Sequence, residues 1–159
     1  MNPQMLQQSL INLNNPPDRA ITKICLDNIP YDKLYKMYND ADVFVCATRA
    51  EAFNLPGIEA MACGLPTIQT NYGGQTDYMT NKNSLFINYK LEEVKDDIMY
   101  EGVEWAVPYI EHIKNEMRWC FNNQDKVKEM GKQALEDVKK WTWELSAKKL
   151  VEHLKKIKK

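Results

Sequence analysis

Apolar and polar positions switch repeatedly between two periods along the first half of the chain, which cuts it into short elements. Ile21-Thr-Lys-Ile-Cys-Leu26 alternates and predicts a strand, and Asp27-Asn-Ile-Pro30 supplies a turn. Tyr31 to Asn39 follows the helical period, with Leu34, Tyr35 and Tyr38 on one side. Asp42-Val-Phe-Val-Cys-Ala47 is a nearly continuous apolar run, as expected of a strand covered on both faces. A loop over residues 48–55 leads into a helix over residues 56–63, where Pro56 suits the first helical position and Gly64 the stop. Pro66-Thr-Ile-Gln-Thr70 predicts the next strand. Asn71-Tyr-Gly-Gly74 predicts a turn into a short helix over residues 75–79, and Ser84-Leu-Phe-Ile87 a further strand.

Residues 91–104 fit neither period and are expected to form an irregular excursion. Three amphipathic helices follow. Ile110, Ile113, Met117, Cys120 and Phe121 share one face, and Val127, Met130, Ala134, Leu135 and Val138 the next. Leu145, Leu150, Val151, Leu154 and Ile157 form a third, less regular face, with Trp141 and Trp143 expected to anchor that last helix. Residues 1–20 are rich in Gln and Asn, end in Asn14-Asn-Pro-Pro17, and read as a flexible or partly helical lead-in. Strands and helices alternating through short links imply an α/β unit over residues 21–159: a parallel sheet flanked by helices, with a C-terminal helical tail.

Composition narrows the chemistry. The 159 residues carry 21 basic and 22 acidic side chains, a net charge of −1, so no nucleic-acid footprint is expected. No apolar run reaches the roughly 20 residues of a membrane span, and the N-terminus lacks a signal-peptide layout, which predicts a cytoplasmic protein. The Lys-rich end from Lys148 onward reads as a solvated helix, with peripheral contact at a membrane surface as the alternative. Cys25, Cys46, Cys63 and Cys120 are scattered and read as structural thiols; neither they nor His112 and His153 have the spacing of a metal site or a nucleophile–base pair.

The densest chemistry lies in Glu51-Ala-Phe-Asn-Leu-Pro-Gly-Ile-Glu59, which places a carboxylate on either side of a turn opening a helix. Ligands of open parallel sheets sit at the carboxyl ends of the strands, beside helix N-termini whose amides favour anions. With Leu55 at the cap position, the amides of Leu55, Gly57 and Ile58 are expected to be free for phosphate oxygens; Asn54 is the alternative cap. Glu59, one turn into the helix, suits a vicinal diol such as a ribose, and Glu51 suits hydroxyls of a sugar. The competing reading makes Glu59 a helix-dipole partner and Glu51 a solvated loop residue.

These residues resemble the donor-binding signature of GT-B glycosyltransferases, specifically the retaining family 4 group, whose pattern is Glu-x-Phe-Gly-Leu-x-x-x-Glu-Ala-Met-Ala-x-Gly-x-Pro. Here the run reads Glu51-Ala-Phe53-Asn54-Leu55-Pro-Gly-Ile-Glu59-Ala60-Met61-Ala62-Cys-Gly64-Leu-Pro66. Leu34 to Val45 is similar to the helix and strand before that motif, and Gly73-Gly74 to its diglycine turn, with Asp77 where Glu is usual. Trp105-Ala-Val-Pro108, Met117-Arg118 and Trp141-Thr-Trp143-Glu144 also resemble family elements, so the likeness runs over residues 21–155. It implies that Glu51 is the catalytic candidate, holding hydroxyls of the donor sugar. It further implies that Phe53, Asn54 and Leu55 present backbone amides to sugar and diphosphate, that Glu59 holds the ribose, and that Gly73 and Gly74 belong to the substrate-binding surface. Asn54 departs from the family's Gly, and Asn is the next most tolerant residue at positive φ.

The resemblance implies a Rossmann-like fold, the partial C-terminal half of a GT-B enzyme. Its donor is a nucleoside-diphosphate sugar, and its acceptor a saccharide, a lipid-linked molecule or a protein. No cofactor or metal is expected; retaining members are thought to react on the leaving-group face without a protein nucleophile, so the lack of a triad does not count against the resemblance. The acceptor domain is expected on another chain or in further sequence, together with the basic residues that neutralise the diphosphate. Three readings stand at this point: a truncated or split glycosyltransferase, a binding-only module or relic, and a different nucleotide-sugar enzyme or plain nucleotide-binding α/β domain.

Overall fold

The computed structural model describes residue 25 and residues 28–95 and 99–157. The elements are α1 (Tyr31–Asn39), β1 (Phe44–Cys46), α2 (Leu55–Ala62), β2 (Thr67–Thr70), a 3-10 turn (Gly74–Asp77), β3 (Ser84–Ile87), β4 (Tyr89–Glu93), β5 (Glu104–Pro108), α3 (Ile110–Asn122), α4 (Gln124–Val138) and α5 (Trp143–Ile157). Strands β1, β2 and β3 form a parallel sheet in that order, with Phe44 level with Thr67 and Thr67 with Ser84. The expected α/β architecture is therefore present, a parallel sheet flanked by helices. The strand expected at residues 21–26 and the lead-in at 1–20 lie, apart from Cys25, outside the described residues.

Every residue of β2 is buried, although three of the four are polar. Alternation turns Ile68 to one face and Thr67 and Gln69 to the other. Ile68 packs with Ile87, Cys120 and Val127. On the polar face Gln69 Nε2 donates to Thr67 Oγ1 at 2.8 Å, and Thr67 Oγ1 lies 3.0 Å from Ser84 Oγ. Met61, Tyr78, Met79, Ala134 and Val138 form a second core, against which Phe53 and Trp141 pack. Helix α4 approaches the end of α2 so closely that a Cβ on Gly131 would lie 2.1 Å from the Gly64 carbonyl oxygen.

Three expectations need correction. The irregular excursion expected over residues 91–104 begins and ends in strands: β4 (Tyr89–Glu93) and β5 (Glu104–Pro108) pair antiparallel, with Leu91 opposite the fully buried Ala106. Only Trp141 anchors the start of the last helix, since Trp143 is 82% exposed and no residue of α5 is buried. The thiols also differ in setting: Cys120 is buried, Cys46 and Cys63 are half-buried and Cys25 is exposed.

Burial sets an alkaline limit on this fold. It pushes the Cys120 thiol up to about 11, the Tyr38 hydroxyl up to about 12 with help from Glu59, and the Tyr78 hydroxyl upward as well. Each group keeps its proton longer in the folded chain than in the unfolded one. The resulting stability is complete below the ordinary thiol value of 9.0 and is lost as pH rises towards 12. The thermal midpoint is expected to fall steadily from pH 9 to pH 12, and a flat profile across that range would contradict these assignments.

Candidate functional site

The carboxyl end of β1 delivers the loop 47–54 to the edge of the sheet where α2 begins. Three bonds hold this loop from neighbouring elements. Thr70 Oγ1 donates to the Thr48 carbonyl at 2.7 Å, the Ala106 amide to the Arg49 carbonyl at 2.9 Å, and the Gly74 amide to the Glu51 carbonyl at 3.2 Å. The Arg49 guanidinium lies 4.8 Å above the Trp105 ring, and the Tyr72 and Tyr89 rings are 5.2 Å apart. The β4–β5 hairpin thus fastens both the loop and the turn beside it.

Asn54, not Leu55, caps α2. It is the one non-glycine residue at positive φ among the described residues, with φ 60° and ψ 69°, and it is only 4% exposed. Its Oδ1 accepts from the Gly57 amide at 3.2 Å, and its carbonyl accepts from Gly57 and Ile58 at 3.1 and 3.3 Å. The Gly57 and Ile58 amides are therefore engaged within the chain, contrary to the expectation that they are free. Asn54 Nδ2 donates to Gln69 Oε1 at 2.7 Å, and Tyr78 Oη donates to the Asn54 carbonyl at 3.0 Å. The polar face of β2 is thus wired to the helix start.

The free donors lie one step earlier. Among the described residues the backbone amides of Phe53, Asn54 and Leu55 have no hydrogen-bond partner. They form a run at the positive end of the α2 dipole, an arrangement that attracts anions. The Phe53 ring packs on the second core, with its centroid 5.4 Å from Tyr78 and 5.6 Å from Trp141, while its backbone amide stays unpartnered among the described residues. The Leu55 side chain is 48% exposed.

Glu51 is half-buried, and its carboxylate has no hydrogen-bond or ion-pair partner among the described residues. Glu59 is already in use: Tyr31 Oη donates to its Oε1 at 2.7 Å and Tyr38 Oη to its Oε2 at 3.5 Å. The hydrogen bond to Glu59 is the main cause of the raised Tyr31 hydroxyl pKa. An ionised carboxylate accepts at about four lone-pair positions, so Glu59 keeps acceptor capacity for ligand hydroxyls. Tyr31, Phe53, Leu55, Glu59, Trp141 and Trp143 border a cleft of about 610 Å³ along the outer side of α2.

Gly73 and Gly74 serve the loop by absence of bulk. A Cβ on Gly74 would lie 1.8 Å from the Ala52 carbonyl oxygen, and one on Gly73, at φ 90°, would lie 2.6 Å from the Glu51 carbonyl oxygen. The fold therefore brings Glu51, the 53–55 amides and the diglycine into one constellation, with Glu59 a turn further along α2. Sequence reasoning missed Tyr31, Tyr38, Gln69 and Tyr78, whose partners are 9 to 28 residues away.

With that geometry in place, the comparisons are informative. The family described as glycosyl transferases group 1 matches residues 23–137. Sucrose synthase of Nitrosomonas europaea is 30% identical over 129 residues, covering 79% of this chain and 14% of that protein. Sucrose synthase 2 of Pisum sativum is 28% identical over 120 residues, covering 75% of this chain and 13% of the relative. Among solved structures, sucrose-phosphate synthase from Thermosynechococcus elongatus superposes with a TM-score of 0.59 at 23% identity, over 83% of this chain and 29% of that one. Anabaena HepE in complex with UDP-glucose gives a TM-score of 0.59 at 15% identity, over 77% of this chain and 30% of that one. The structural likenesses carry the GT-B, Rossmann-like fold, and the chain spans 13 to 14% of the length of the two sucrose synthases.

Proposed function

We propose, from the premise that this chain belongs to the glycosyl transferases group 1 family, that it forms the donor-binding part of a glycosyltransferase using a nucleoside-diphosphate sugar. The observation that carries this reading is the run of unpartnered amides at Phe53, Asn54 and Leu55, set between Glu51 and Glu59. Amides at a helix start match a diphosphate, and a carboxylate on either side matches the hydroxyls of the sugar and of the ribose. The HepE crystals hold UDP and UDP-glucose, which supports a ligand of this class.

In this reading the 53–55 amides receive the diphosphate, Glu51 accepts from hydroxyls of the sugar, and Glu59 accepts from the ribose diol. Gly73 and Gly74 keep the Glu51 loop in place and complete the substrate-binding surface. Transfer proceeds with retention, the acceptor attacking on the leaving-group face while the amides stabilise the departing diphosphate. The acceptor is a saccharide, a lipid-linked molecule or a protein, held by an acceptor domain beyond this chain. The protein works in the cytoplasm.

Glu51→Gln tests the sugar assignment. Calorimetric titration is expected to show the sugar conjugate weakened by about 1–3 kcal/mol, the range for a hydrogen bond to a charged group, while the bare diphosphate is unaffected. Equal weakening of both ligands, or of neither, would remove Glu51 from the sugar.

A further inference from the structure

Gln75 follows the diglycine directly and is fully buried. Its Nε2 donates to the Thr70 carbonyl at 3.0 Å, while its Oε1 has no hydrogen-bond partner. Buried polar atoms in native proteins are nearly always paired, so an orphaned acceptor at a binding site asks for a donor. The surroundings supply one. A Cβ placed on Gly73 would lie 3.3 Å from Gln75 Oε1 and 3.4 Å from the Glu51 backbone nitrogen. The acceptor and this amide therefore border the same small volume, which stays open only because residue 73 has no side chain. The Glu51 N–H has no partner among the described residues either. Two complementary groups, both unpaired, thus face one small volume at the base of the loop that carries the candidate sugar-binding carboxylate.

Resting on the donor-site assignment above, we propose that Gln75 is a positioning residue for Glu51. Its Oε1 takes the Glu51 backbone N–H as the loop settles on a bound donor sugar. The Gly74 amide already holds the Glu51 carbonyl at 3.2 Å, so the added bond grips residue 51 on both sides of its Cα. Gln75 itself touches no ligand. Its effect reaches the sugar through the Glu51 carboxylate and does not reach the diphosphate, which rests on the 53–55 amides.

Gln75→Met separates this role from a structural one. Methionine keeps the length and volume of the side chain, and the Thr70 carbonyl retains its bond from the Tyr72 amide at 2.8 Å, so no new orphan is created. The full chain and the variant are titrated with UDP, GDP and ADP and with their glucose conjugates. The expected result is a loss of roughly tenfold in affinity for the conjugate that binds, as for one hydrogen bond, with its bare diphosphate unchanged. Equal affinities in variant and parent for both ligands would overturn the role of Gln75 while leaving the donor site standing. No binding of any probe by the unaltered chain would overturn the donor site and the role of Gln75 together. Should the variant fail to fold, amide hydrogen exchange in the unaltered chain decides: Glu51 exchange slows on adding the conjugate if Gln75 captures it, and an unchanged rate rules the capture out.

Discussion

Gly74→Ala is expected to abolish measurable donor binding by the intact chain. The added methyl would lie 1.8 Å from the Ala52 carbonyl oxygen, 2.7 Å from the Ala52 carbonyl carbon and 2.9 Å from the Phe53 Cα. All three neighbours are backbone, so no rotamer change relieves the clash, and the loop or the turn must move by about 1 Å. Displacements of that size in a preorganised site cost roughly 10²-fold. Calorimetric titration with the diphosphate that binds the parent chain measures the effect. Gly102→Ala is the control: at φ 79° it carries a backbone strain that Gly74→Ala does not, yet it meets nothing within 4 Å, so donor affinity should be unchanged. Near-parental affinity in Gly74→Ala would mean that the diglycine does not shape the site.

Asn54→Ala is expected to destabilise the fold by about 3 kcal/mol. The loss of a helix cap accounts for about 1 kcal/mol of this, and left-handed backbone at a non-glycine residue without local side-chain support for about another. The remainder comes from the bond lost at Gln69 Oε1, which keeps only the 3.3 Å contact from Tyr78 Oη. For a chain of this size the thermal midpoint should drop by roughly 6–12 °C. Asn54→Gly relieves the backbone strain while losing the same side-chain bonds, so it should recover about 1 kcal/mol of the loss. A midpoint change of less than about 2 °C in Asn54→Ala would mean that this side chain is not the link between α2 and the sheet.

The two halves of the chain differed in how openly they wrote their structure. The helix Tyr31–Asn39 and the strand Ser84–Ile87 appear over the residues their periods predict, because each follows one period and ends at a turn signal. The hairpin gave no such signal. Lys90, Glu92, Glu93 and Glu104 stand among its apolar positions, and a two-stranded ribbon half open to solvent needs no continuous apolar face. Helix α5 is amphipathic in sequence yet buries nothing in the described structure, since patterning shows which side can be covered and not what covers it.

The candidate site was legible as a motif before it was legible as geometry. The order of Glu51, Asn54 and Glu59 placed two carboxylates around a helix start, and the fold keeps them there. The resemblance pointed to the amides of Phe53, Asn54 and Leu55, but the engagement of the Gly57 and Ile58 amides was not readable, because it depends on Asn54 reaching left-handed backbone and capping the helix while its Nδ2 turns into the sheet at Gln69. Nor was the pairing of Glu59 with Tyr31 and Tyr38 readable, since that contact is created by α1 lying beside α2 and not by local spacing.

Titration of the intact chain and of Glu59→Ala with UDP, GDP and ADP, each beside its glucose conjugate, tests the donor site most directly. One base is expected to bind, and Glu59→Ala should weaken that diphosphate and its conjugate alike by about 1–3 kcal/mol, because the ribose is common to both. A well-folded chain that binds none of the six ligands, or a Glu59→Ala chain that binds them as the parent does, would contradict the assignment of this surface to a nucleoside-diphosphate sugar.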